Sequence, residues 1–203
     1  MNPRVVRRFV FLMAILTVGT FVGWDILSDF VQRAPGDYET EMGGQRLVDG
    51  EYDEAMAYFD AALVEEPNHR GALMGRALVY IATERYREAI AELDYLIAFL
   101  RQTLQPDDLT GHGVLAAAHA NRGIVLDRQG EYEAALESYI AALNTDEESV
   151  DGPGVIHKIL YGSEDVSTVR DRARYIYEQL QLPEEERLMR VPEIDDEQRM
   201  YKP

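Results

Sequence analysis

The 203-residue chain contains no cysteine. Disulfides, thiolate metal sites and cysteine nucleophiles are therefore excluded, while the redox compartment stays open. Lysine is almost missing too: Lys158 and Lys202 stand beside eighteen arginines. Positive charge is scarce overall, with a formal charge of −17, or −20 once the three arginines of residues 1–8 are set aside. A phosphate backbone needs a basic face, so nucleic acid is not a partner. Gly111-His-Gly113 lacks the further glycine and the lysine of a phosphate loop, and no Gly-x-Ser-x-Gly elbow occurs. His69, His112, His119 and His157 are scattered without metal-ligand spacing, and the carboxylates stand at the spacing of a solvated helix surface. The reading is non-catalytic: no enzyme, no cofactor, no metal and no small-molecule substrate.

What is present begins with an apolar run. Residues 9–24 carry no charge, and Ile26 and Leu27 extend the run with only Asp25 interrupting. Sixteen helical residues reach about 24 Å, short of a ~30 Å hydrocarbon core, and the longer stretch comes close. Residues 9–27 therefore read as a single transmembrane anchor, with Arg8 snorkelling at one interface and Trp24 suited to the other. Arg4, Arg7 and Arg8 precede the run, whereas Asp25, Asp29 and Asp37 follow it. The positive-inside bias then keeps residues 1–8 in the cytoplasm and places the rest in the periplasm, or more generally outside the inner (cytoplasmic) membrane. A cleaved signal is the competing reading, but its best small-x-small site, Thr17-Val-Gly19, lies inside the apolar run.

Three phrases recur further on: Gly50–Met56, Glu84–Ile90 and Gly130–Leu136, each with tyrosine third (Tyr52, Tyr86, Tyr132). The first two tyrosines are 34 residues apart, and the next interval is 46, one period plus 12. Lined up on them, units 36–69, 70–103 and 116–149 each carry a small residue at position eight, Gly43, Ala77 and Gly123. Their second halves repeat Ala55, Ala89 and Ala135, then Phe59, Leu93 and Tyr139, then Ala62, Leu96 and Ala142. Small residues let paired helices approach, large ones fill the groove opposite, and Gly50 and Gly130 suit helix ends of positive φ. The pattern resembles the tetratricopeptide repeat over residues 36–149, most closely in the second helix of each unit. Position four, where that repeat has a large aromatic, holds Glu39, Leu73 and His119 instead. The resemblance implies an all-α solenoid of about three helical hairpins with C-terminal capping helices, behind the N-terminal transmembrane helix.

It also implies where partners attach. In such a stack, positions 5, 9, 12 and 13 of each unit line the concave side. Here they point to a mostly apolar groove containing Met74, Leu78 and Ile81 in the second unit, and Asn121, Ile124 and Arg128 in or beside the third. Some relatives hold a peptide's C-terminal carboxylate with lysines, arginine and asparagines. Only Asn121 could serve such a clamp, because the first unit offers Thr40, Gly44, Leu47 and Val48. An amphipathic helix or apolar partner segment fits better, unless the protein's own C-terminal helix or tail covers the surface.

Punctuation sets the remaining boundaries. Residues 28–35 form a linker, and the twelve extra residues around Gln105–Gly113 lengthen the helices on either side of a loop. Residues 150–182 read as capping helices: a turn at Asp151–Gly154, a short helix over Val155–Tyr161, then a longer one capped by Ser163 or Asp165. Its apolar face is Val166, Val169, Ala173, Ile176, Tyr177 and Leu180, and Pro183 ends it. The tail, 183–203, is either a disordered acidic end or an extended arm anchored on a partner through Leu188, Met189 and Tyr201. Together these features predict a membrane-anchored interaction scaffold whose partners are proteins, as accessory subunit or assembly factor of a membrane complex. A chaperone-like binder of exported or unfolded segments is the alternative.

Overall fold

The computed structural model describes residues 3–30, 34–150, 168–190 and 200. Among these, every regular element is helical, and the chain divides into Met1–Ala34 and Pro35–Pro203. The expected turn at residues 151–154, the helix over 155–161 and the caps Ser163 and Asp165 lie outside the described residues, as do Val166 and Tyr201.

Helix α1 (Pro3–Phe30) makes up the first unit. Its stretch Arg7–Trp24 is long and apolar enough to cross a membrane, and none of it is buried. Thr17 and Thr20 return their hydroxyls to the carbonyls of Met13 and Leu16 at 2.8 and 2.9 Å, so these polar groups are paired within the helix.

The second unit stacks helical hairpins: α2 (Asp37–Asp49) with α3 (Tyr52–Glu65), α4 (Arg70–Ala82) with α5 (Tyr86–Thr103), and α6 (Leu109–Gln129) with α7 (Tyr132–Thr145). The insertion between the second and third hairpins extends α5 to 18 residues and α6 to 21, against 13 or 14 for the other four. A single turn, α8 (Glu147–Val150), follows, then α9 (Val169–Leu180) packs on α7 and a 3₁₀ turn spans Glu184–Glu186.

Local chemistry explains the hairpins. Gly50 and Gly130 end α2 and α6 at φ 78° and 84°, each letting the next amide bond back to an earlier carbonyl (Glu51 to Arg46 and Glu131 to Leu126, both 2.9 Å). In the first and third hairpins the large side chain of the second helix lies on a glycine of the first, and Phe59 also lies on a glycine of the next hairpin. A Cβ on Gly43 would come within 2.7 Å of the Phe59 ring, one on Gly75 within 2.3 Å, and one on Gly123 within 2.5 Å of Tyr139. Phe59 is thus seated between α2 and α4, and Ala55, Ala62, Ala89, Ala135 and Ala142 have no exposed surface at all. Arginines tie neighbouring hairpins together. Arg76 reaches Asp60 on α3 and Glu92 on α5, and Arg122 reaches Asp94 on α5 and Ser138 on α7.

Candidate functional site

The first helices of the hairpins bring the expected groove residues together as two apolar clusters rather than as an open surface. Met74, Leu78 and Ile81 of α4 are 0–3% exposed and share one cluster with Leu47, Leu93 and Val125. Ile124 of α6, also fully buried, belongs to the second cluster with Tyr139, Val169 and Ile176. Asn121 bridges the two hairpins: it is fully buried, and its Nδ2 lies 3.5 Å from the Met74 sulfur. Arg128 is half-buried at the C-terminal end of α6. In the first hairpin two of the equivalent positions stay open, for Gly44 and Val48 line a cleft of about 440 Å³ with Glu41, Gln45 and Asp49, while Leu47 is buried in the first cluster.

Helix α9 closes the stack. Thr168 caps it by accepting the Asp171 amide at 3.1 Å, and Val169, Ala173 and Ile176 pack inward. Tyr177, expected on that face, is 56% exposed. The inward place is taken by Arg172, which is 3% exposed and donates from Nε and Nη2 to the two oxygens of Asp127 on α6 at 2.7 and 2.8 Å. Tyr139 Oη adds a third donor to that carboxylate at 3.2 Å. A cation one helical turn from Val169 and Ile176 was the available signal for this pair, because a buried arginine requires a buried acid.

Beyond α9 the chain turns back. Of the expected tail anchors, Leu188 keeps its side chain 67% exposed, but its main chain is held on both sides. Its N–H donates to Gln179 Oε1 at 2.7 Å, and its carbonyl accepts from Tyr175 Oη at 2.5 Å. Met189 packs against the second cluster, and its carbonyl accepts from Arg172 Nη2 at 3.1 Å. Arg190 Nη2 donates to the Arg128 carbonyl at 2.6 Å. Met200, an apolar tail residue not counted among the expected anchors, packs against the first cluster. The two methionines of the tail therefore touch the two clusters that contain the groove residues. In the first unit, Arg8 and Trp24 are both exposed, Trp24 at 76%.

Two histidines of the hairpins are held by neighbouring groups. His69 caps α4, accepting the Ala72 amide on Nδ1 at 3.2 Å while Nε2 meets Asp37 at 3.0 Å. His119 lines a cleft of about 260 Å³ with Asp94, Arg101, Arg122 and Ser138. It is 6% exposed and accepts on Nε2 from Arg101 at 3.2 Å. Burial first, then the charges of Arg101 and Arg122, pull its pKa down to about 4. Among the described residues, no group of three or more acidic or histidine side chains could hold a metal ion.

Residues 47–108 match the family model of the tetratricopeptide repeat. Nothing among curated proteins matches the chain. Among solved structures, the first such domain of Spaghetti (RPAP3), bound to the HSP90 peptide SRMEEVD, is similar with a TM-score of 0.54 and 16% identity. That similarity covers 75% of this chain and 98% of the other.

Proposed function

We propose that this chain, a tetratricopeptide-repeat protein in fold, is a membrane-anchored scaffold that holds protein partners, serving a membrane complex as accessory subunit or assembly factor. The carrying observation is the pairing of a repeat domain with Arg7–Trp24, an apolar stretch that the chain itself does not bury. Uncovered apolar surface of that length is most stable in a bilayer. The solved structure of like fold holds a short peptide, which supports reading the helices that carry Met74, Leu78, Ile81, Asn121, Ile124 and Arg128, all but Arg128 buried here, as the side of the partner groove. Arg4, Arg7 and Arg8 favour a cytoplasmic N-terminus, which places the repeats on the opposite side of the membrane.

Purification of the tagged full chain in mild detergent, followed by mass spectrometry, tests the role. A stoichiometric membrane complex is the expected result, whereas many substoichiometric partners would instead indicate a chaperone-like client binder. A C-terminal reporter active only in the cytoplasm should stay silent. Strong signal from it would overturn the orientation.

A further inference from the structure

The segment after α9 is bound in the manner of a peptide ligand, although it belongs to the same chain. Three α9 side chains, Arg172, Tyr175 and Gln179, bond to the main chain of Leu188 and Met189, which any sequence could offer in the same way. Two side chains supply selectivity. Met189 enters the apolar second cluster, and Arg190 meets a carbonyl in the last turn of α6, the negative end of that helix dipole. Main-chain bonds for affinity and alternate side chains for specificity are how extended peptides are recognised in grooves. Met200 packs against the first cluster, to which Leu78 and Ile81 belong.

We infer that α9 and the C-terminal end of α6 form a clamp for an extended peptide, and that residues 188–190 occupy it in cis. The ligand class is an extended segment in which an apolar residue, best unbranched like methionine, is followed directly by arginine. A partner carrying such a segment competes with the tail, so partner binding and tail release are the same event. The inference rests on the groove reading proposed above.

The test uses full-length protein in detergent and a fluorescent peptide of residues 183–203. Met189→Asp with Met200→Asp in the chain should release the resident tail, and the labelled wild-type peptide should then bind about tenfold more tightly than to the unaltered protein. A peptide carrying Met189→Asp should lose about tenfold in affinity for the released chain. Equal binding by released and unaltered protein, or by both peptides, overturns the clamp. A second measurement leaves the tail sequence intact: Gln179→Ala should speed exchange of the Leu188 amide about tenfold, and unchanged exchange overturns the cis contact. Failure to recover a membrane complex while this competition persists removes only the proposed cellular role. Recovery of the complex with no competition removes only the clamp.

Discussion

Arg172 and Asp127 are joined by two parallel hydrogen bonds of 2.7 and 2.8 Å, with only 3% and 4% of their side chains exposed. The pair ties α9 to α6 across 45 residues of sequence. Charges taken so far from water stabilise little as a pair, but each is costly alone. Arg172→Met should therefore destabilise the protein by about 3–5 kcal/mol, because it leaves the Asp127 carboxylate buried with only the Tyr139 hydroxyl for company. Adding Asp127→Asn removes the stranded charge while keeping an acceptor for Tyr139, so it should restore much of the loss. Denaturant unfolding followed by circular dichroism reads both. If the double variant is as unstable as the single one, charge burial is not the cause.

Glu84 stands where Gly50 and Gly130 stand in the other hairpins, and it adopts the same backbone at φ 57°. It is the one non-glycine residue of positive φ among those described. The helix end still closes in the same way, with Arg85 donating to the Tyr80 carbonyl at 2.8 Å. Left-handed backbone costs a side-chain-bearing residue roughly 1 kcal/mol that glycine avoids. Glu84→Gly should thus raise stability by about 0.5–1 kcal/mol, less whatever the freer unfolded chain takes back. Gly130→Ala should lower it by about 1 kcal/mol. A rise in midpoint for the first and a fall for the second is the expected pattern. The reverse pattern would mean that the turn does not constrain these helices.

Phe59 touches Gly43 on one side and Gly75 on the other, and Gly44, which faces open space, serves as the control. A methyl on Gly75 would meet the Phe59 ring at 2.3 Å, whereas a Cβ on Gly44 meets nothing within 4 Å. Gly75→Ala should cost about 1–3 kcal/mol through overpacking. Gly44→Ala, on the open side of α2, should instead gain up to about 1 kcal/mol from helix propensity. Thermal unfolding of the two variants decides the matter, and equal effects would place Phe59 elsewhere.

The solenoid was legible because its signal is redundant. The phrase around Tyr52, Tyr86 and Tyr132 recurs with small residues at fixed offsets, and Ala55, Ala89 and Ala135 indeed have no exposure. A repeat that must stack on copies of itself writes its packing into the sequence several times over. The third hairpin's longer α6 followed from the extra residues ahead of it. The packing of α9 and of the segment after it was not legible, because it depends on contacts made once. Arg172 bonding to Asp127 and Met189 returning over α9 have no period, and no local preference announces them. The sequence points to Leu188 as an anchor for a partner; the structure holds its main chain on α9 and leaves the residue 67% exposed.

His119 gives a prediction in pH. Its imidazole is buried, accepts from Arg101 at 3.2 Å, and has its pKa lowered from 6.5 to about 4 by burial and by Arg101 and Arg122. Between those two values the unfolded chain binds a proton that the folded chain refuses. The contribution of His119 to stability is therefore complete above pH 6.5 and is lost progressively as pH falls towards 4. At about 1.36 kcal/mol per pH unit, the loss attributable to this residue is on the order of 2 kcal/mol by pH 5. His119→Gln keeps an acceptor for Arg101 but cannot be protonated, so its stability should fall less between pH 7 and 5 than that of the unaltered protein. Carboxylates titrate alike in both and cancel in the comparison. Urea midpoints at the two pH values supply the difference, and parallel curves would show that protonated His119 finds a counter-charge in the folded protein.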